Sequence, residues 1–338
     1  MFDQQYSDFL SHRITALQRS IAATMVDQRD IKNVVVLGAN GSIGSIIVSA
    51  LLSHPAGFNV SIVTRDKSKI ATTFPAAVKV FESDYSTETL REAFQGQDAV
   101  VSTLAVQMVP KQKDLIDLAI ECGVARFIPS EFGVDTAHPH LKKYLPLAAT
   151  KTEIVEYLKT KEDRITWTAV ITGSFFDWSL QRSGGAGMEI PKRQATIWDG
   201  GDTEYEATNL ARIGEAVAAV LAPEFQKLTA NQYVYVNSFT LTQNKVLRAL
   251  EQATGEKFAV TESTVSELAD SALARLKHNR GDGAAITDLI RATSHGRGGV
   301  NNYSRDQPGG LWNERLGLKA ENLADTITRE VQRGNGDS

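Results

Sequence analysis

The chain has 338 residues, of which 42% are hydrophobic and 22% charged. This is the balance of an ordinary soluble globular protein, with length enough for one long domain or two. Its 36 Lys+Arg against 40 Asp+Glu give a formal charge of −4, and without a basic run this argues against a nucleic-acid partner. The single cysteine, Cys122, excludes an internal disulfide and a multi-cysteine metal site, and suits a reducing compartment.

The opening stretch "MFDQQYSDFLSHRITALQRS" lacks the apolar core of a secretory signal, and no apolar run is long enough to span a bilayer. A cytoplasmic protein without membrane contact is the expectation. Phe9, Leu10, Ile14, Leu17, Ile21 and Met25 fall at helical spacing, so residues 7–25 are predicted to form an amphipathic helix in an N-terminal extension, 1–30. It would pack on its own domain or on a second subunit, which leaves a homodimer open.

From residue 31 the pattern alternates strand and helix. "NVVVLGAN" is a continuous β-branched run, as expected of a strand covered on both faces. "SIGSIIVSALLSH" is a helix, "FNVSIVTR" and "VKVFESD" are the next strands, and "TETLREAFQG" is a helix with Thr87 as cap and Gly96 as stop. "DAVVSTLA", "ARFIPSEF" and the start of "ITWTAVITGSFF" complete six strands. Such alternation implies a parallel sheet with right-handed crossovers, a Rossmann-type doubly wound α/β fold over residues 31–175.

After Phe176 the rhythm breaks. Residues 176–330 read as a smaller C-terminal α/β substrate domain, from which segments of about 207–240 can return to the first domain, and 331–338 is a polar tail. "NLARIGEAVAAVLA", "TLTQNKVLRALEQATG", "TVSELADSALARLKH" and "LKAENLADTITREVQRG" are helices, and "NQYVYVNS" is a strand. Residues 279–312 hold seven glycines and are expected to be mobile or ligand-shaped loops.

"GANGSIG", Gly38 to Gly44, follows a buried-strand pattern and opens a helix. In that context its glycines let the backbone approach a pyrophosphate, with the helix N–H groups of Asn40, Gly41, Ser42, Ile43 and Gly44 facing the anion. The bland alternative is a tight turn without a ligand. Arg65 lies 21 residues after Gly44, with Lys67 and Lys69 nearby. A guanidinium there suits a 2′-phosphate and favours NADP(H), although Asp66 could instead serve the ribose of NAD(H). Asp84, after the third strand, is placed for the adenine amino group. Thr103 and Leu104, after the fourth, are placed to line the crevice at the strands' carboxyl ends.

These residues, with "RFIPSEFGVD" and "ATKTEIVEYL", resemble the NmrA-like branch of atypical short-chain reductases, which includes the isoflavone, pinoresinol–lariciresinol and phenylcoumaran benzylic ether reductases. The phrase Arg126 to Gly133 is among the most specific marks of that group, and "ITGSFFDW" and "LGLKAENLADTI" look most like fungal oxidoreductases of the branch. The usual tyrosine four residues before the lysine is missing, since Leu147 stands there. The resemblance implies that Lys151, before "TEIVEYL", serves alone. A lysine desolvated beside a nicotinamide favours its neutral amine and can exchange a proton; otherwise it is an exposed helical lysine. The resemblance also places Thr172, Gly173 and Phe175 beside the nicotinamide.

Phe132 in the Ser130–Asp135 loop, Phe176 and Trp178 are candidates for an apolar wall around an aromatic substrate, with ordinary core packing as the equal alternative. His138 and His140 are placed to reach the same substrate, whereas His295 reads as a loop residue. No further ligands match their spacing, so no metal site is expected. The resulting expectation is an NADPH-dependent reductase of a small aromatic or conjugated, secondary-metabolic compound. Two alternatives stay open: a non-catalytic NADP(H)-binding redox sensor of NmrA type, and a non-redox isomerase or dehydratase on the same fold.

Overall fold

The computed structural model describes residues 30–70, 74–141, 145, 148–182, 184–296, 300–307 and 309–336. The side chains of Lys69 and of residues 334–336 are not among those described. The helix expected over 7–25 lies outside the described residues. The chain divides into two compact units.

The first unit comprises Met1–Ser130, Thr150–Ala169 and Val217–Tyr233. Its early strands are β1 (Asn33–Leu37), β2 (Asn59–Thr64), β3 (Lys79–Glu82), β4 (Ala99–Ser102), β5 (Arg126–Ile128) and β6 (Thr166–Ile171). Its helices are α1 (Ser42–Ser53), α2 (Thr87–Phe94), α3 (Gln112–Glu121) and α4 (Ala149–Lys159). β1 pairs in parallel with both β2 and β4, and β2–β3, β4–β5 and β5–β6 are also parallel. With the later strand Gln232–Tyr235, the seven-stranded order is Gln232–Tyr235, β6, β5, β4, β1, β2, β3. The chain therefore winds outward in both directions from β1 and β4. The switch point between those two strands is where open α/β sheets bind ligands.

Continuous apolar strands need cover on both faces, and Val34, Val35, Val36 and Leu37 are fully buried. Helix α2 is capped by Ser86, whose hydroxyl accepts from the Thr89 amide, so Thr87 opens the helix rather than capping it. Gly96 follows in the left-handed region at φ 74°. Arg126 is buried and donates to Thr166 Oγ1 (2.6 Å), Thr168 Oγ1 (2.8 Å) and the Gln226 carbonyl (2.6 Å). One guanidinium thus ties a three-residue strand to its neighbour and to a distant turn.

The second unit comprises Glu131–Ala149, Val170–Ala216 and Val234–Ser338. It introduces β7 (Ser174–Phe175), β8 (Met188–Glu189), β9 (Gln194–Trp198), β10 (Tyr205–Thr208), β11 (Gln232–Tyr235, shared with the sheet above), β12 (Phe239–Leu241) and β13 (Ala259–Ser263). They form two small sheets, β12-β10-β7 and β13-β9-β8. The helices are α5 (Phe176–Leu180), α6 (Leu210–Leu221), α7 (Gln243–Thr254), α8 (Val265–His278), α9 (Gly283–His295), α10 (Tyr303–Asp306) and α11 (Leu323–Gly336).

The expectation of loops across 279–312 is corrected here. Thirteen of these residues form α9, started by Asp282, whose carboxylate accepts from the Ala285 amide. Its glycines punctuate the ends, at Gly283 and Gly296, and the interior buries Ala285, Leu289 and Ala292. Asp288 accepts from Arg291 on its own helix and from Arg275 on α8, which joins the pair.

Candidate functional site

The cradle at the switch point is built from three glycines with different tasks. Gly38 has φ +80°, and a Cβ there would lie 2.8 Å from the Thr103 carbonyl oxygen. The Gly41 amide closes the turn on the Gly38 carbonyl at 2.9 Å. A Cβ on Gly44 would lie 2.2 Å from the same carbonyl oxygen, so no side chain fits. Helix α1 then begins with neither a side-chain cap nor an acid in its first turn. Asn40, Gly41 and Ser42 are exposed and Ile43 is half-buried. An uncapped, solvent-facing helix N-terminus is a seat for an anion.

Around this cradle, Arg65 emerges exposed from the end of β2. Asp66 turns its carboxylate to its own chain, accepting from the Ser68 amide (3.0 Å) and hydroxyl (2.6 Å). Asp84 is exposed and held down to about 2, first by the Ser86 hydroxyl, then by the Ser86 amide and the Thr89 hydroxyl. Thr103 donates to the Leu37 carbonyl at 2.8 Å, joining the ends of β1 and β4. The carbonyl of buried Leu104 accepts from Ser130 Oγ at 2.8 Å, and the Ser130 amide donates to the buried Gln112 side chain. Lys151 is half-buried in the first turn of α4, in the same unit as the cradle. Lys69 closes a short 3-10 turn, Lys67–Lys69.

In the second unit, the amides of Thr172 and Gly173 both donate to the Gly133 carbonyl (3.2 and 2.8 Å). Gly173 has φ +63°, and a Cβ there would meet the Glu206 carbonyl at 2.3 Å. The Thr172 hydroxyl is buried without a hydrogen-bond partner. Half-buried Phe175 packs edge-on to Trp178 at 6.2 Å, and the Arg182 guanidinium lies 3.5 Å from the Trp178 ring. For Phe176 the surroundings are those of the core-packing alternative. Its ring is fully buried and packs edge-on to Phe239 within the unit's core.

Phe132 is also largely buried, and His138 is half-buried with its ring 5.6 Å from that of His140. Beside them burial pushes the Asp135 carboxyl up, against hydrogen bonds from Gln307, the Ala137 amide and Tyr235. His295 is not a loop residue. It ends α9, buried, stacked on Trp198 at 5.3 Å and edge-on to Tyr205 at 4.6 Å, and burial pushes it down to about 3. A cavity of about 350 Å³ lies in this unit, lined among others by Trp198, Thr196, Leu268 and Arg291. Among the described residues, no cluster of His, Cys, Asp and Glu is arranged to hold a metal ion, and no helix is long and apolar enough to cross a membrane.

The profile of the NmrA-like family matches residues 30–279. The chain belongs to the NmrA-like family. Oxidoreductase aprR of Aspergillus flavus is 37% identical over 299 residues, spanning 87% of this chain and 97% of its own. Oxidoreductase poxI of Penicillium oxalicum is 29% identical over 297 residues, spanning 87% and 92%. An isoflavone reductase crystal structure superposes with a TM-score of 0.72 at 20% identity, covering 89% of this chain and 99% of that one. The binary complex of leucoanthocyanidin reductase with NADPH from Vitis vinifera gives 0.68 at 19% identity, with the same coverage. At such identities these two structures establish the shared fold.

One residue of this NmrA-like chain escaped the sequence reading. Tyr85 sits at φ 66°, its amide donating to Ser83 Oγ at 2.9 Å. Nothing in "SDYS" announces a left-handed tyrosine. The flanking serines and Asp84, all able to bond their own backbone, are the one signal available.

Proposed function

We propose that this chain is an NADPH-dependent oxidoreductase that reduces a small aromatic or conjugated metabolite, with Lys151 as the proton-transfer residue. The observation that carries the reading is the glycine cradle at the β1–β4 switch point, with Arg65 beside it and Asp66 engaged in its own turn. The residues fit a dinucleotide. The glycines let the turn close on its own backbone and bring the uncapped start of α1 to the surface, and the cation suits a 2′-phosphate.

When bound, the nicotinamide supplies the hydride. The α1 N-terminus would hold the pyrophosphate and Arg65 the 2′-phosphate, while Asp84, Thr103 and Leu104 would line the adenosine side and crevice. Thr172, Gly173 and Phe175 are the residues that the family resemblance would assign to the nicotinamide. Lys151 gives its proton to the reduced substrate through its amine or a water. Phe132, His138 and Trp178 contact the substrate. The oxidoreductase relatives and the NADPH-bound leucoanthocyanidin reductase support this reading.

Calorimetric titration with NADPH, NADP⁺, NADH and NAD⁺ tests it. Tight NADPH binding, with NADH at least about tenfold weaker, is expected; absence of binding to all four overturns the reading. In the Lys151→Ala variant, turnover should fall at least ~100-fold with cofactor affinity largely kept. Unchanged turnover would remove Lys151 from the chemistry.

A further inference from the structure

The cavity of about 350 Å³ in the second unit takes no part in the proposed reduction. Its size falls in the range of small-molecule sites, which begins near about 300 Å³. Trp198 lines it from the end of β9, Glu267 and Leu268 from α8, and Arg291 from α9. Burial gives its depth: Trp198 is buried, Leu268 and Arg291 are half-buried and Glu267 is exposed. Trp198 is therefore the floor and Glu267 the mouth.

The floor is fixed in place. One face of the indole carries the buried His295 ring, inclined by only 22°. Gly187 has φ +83°, and a Cβ there would lie 2.3 Å from the Thr196 carbonyl oxygen and 3.1 Å from the indole. The chain can run against the ring only as glycine.

Two opposite charges line the same space. Asp288 accepts from Arg291 Nη1 at 2.7 Å and, through its other oxygen, from Arg275. One carboxylate thus serves two guanidiniums and leaves a positive charge over. Glu189, which borders Gly184 together with Arg291, has Lys192 at 3.9 Å to offset it. Among the described residues, Nη1 is the one nitrogen of Arg291 that makes a hydrogen bond. At the mouth, Glu267 accepts from the Thr264 amide and the Ser263 hydroxyl, both at 3.1 Å and both through Oε2. These bonds hold its carboxyl below the ordinary range, so it is ionised at neutral pH, and Oε1 remains an acceptor.

We propose that this cavity binds a small aromatic acid bearing a hydrogen-bond donor, with its carboxylate on Arg291, its ring against Trp198 and Leu268, and its donor on Glu267. A guanidinium matches a carboxylate in shape and charge, and an indole matches a flat ring. Ionised Glu267 repels a second acid group and selects a hydroxyl or an ammonium in its place. The residues proposed to contact the reduced substrate, Phe132, His138 and Trp178, do not line this cavity. The site is thus a second one, and it does not depend on the NADP(H) reading.

The test uses the full chain without cofactor and 4-hydroxyphenylacetate as the probe, followed by calorimetry. Phenylacetate lacks the donor, and methyl 4-hydroxyphenylacetate lacks the charge. Wild type should bind the probe with a Kd of about 1 mM or tighter, and each analogue about tenfold more weakly. Arg291→Gln should weaken the probe about tenfold and leave the methyl ester unchanged. Leu268→Trp, which fills the cavity, should abolish binding of all three. Melting temperature checks the fold of each variant, and where one is unfolded the wild-type comparison of acid with ester decides. No binding of the probe at about 1 mM, equal affinity for acid and ester, or full affinity in a folded Leu268→Trp variant would each overturn the proposal.

Discussion

At the scale of single residues, His295 shows how burial decides chemistry. Stacked on Trp198 and enclosed, its ring stays neutral, pushed down to about 3 by the loss of solvation and, less, by Arg291. In the unfolded chain the same ring titrates near its ordinary value of 6.5. Between those two values the unfolded state binds the extra proton, so stability falls as pH falls. His295→Phe should remove this dependence. Urea unfolding from pH 6.5 downwards should show wild type losing about 1.4 kcal/mol per pH unit more than the variant; parallel profiles would contradict the buried neutral ring. From sequence, His295 was invisible in this role, because "TSHGRGG" looks like a loop and its ring partners lie at 198 and 205. The cradle was legible because its demands are local: three glycines, a strand before and a helix after. The engagement of Asp66 was not, although Ser68 two residues on was the available hint.

At the scale of elements, Arg126 shows a family phrase with a structural share. "RFIPSEFG" begins with a guanidinium that never reaches solvent and donates to two threonines of β6 and to the Gln226 carbonyl. Arg126→Met keeps the volume and removes the charged donor from three buried acceptors, of which the two threonine hydroxyls keep their bonds to the Ala125 and Thr229 carbonyls. It should cost roughly 3 kcal/mol in denaturant unfolding, while the folded fraction keeps its NADPH affinity. A loss of affinity at unchanged stability would show that Arg126 serves the site directly. Strands β1 to β6 were legible as elements because buried parallel strands read as unbroken β-branched runs. Helix α9 was not, because its terminal glycines drew more attention than the apolar spacing of Ala285, Leu289 and Ala292 between them.

At the scale of the whole molecule, alternation foretold the doubly wound sheet, while pairing had to be seen in three dimensions. "NQYVYVNS" announces a strand, and periodicity names no neighbour; the structure sets it beside β6 as the seventh strand. Ligand binding to the folded chain should register globally. At 100 times its Kd, NADPH should stabilise the protein by about 2.7 kcal/mol, read as a raised melting temperature, with hydrogen-exchange protection concentrated at residues 38–44 and 83–89. A uniform or absent response would speak against the cradle as the binding site.

The first unit is written in three instalments, the last of them Val217–Tyr233. During synthesis, β6 must therefore wait for its outer neighbour until that segment has left the ribosome, some sixty residues later. Until then it is an edge of six residues, every one buried in the finished protein, and such edges invite pairing with other chains. A chain cut after the sixth strand would leave that apolar edge without its partner.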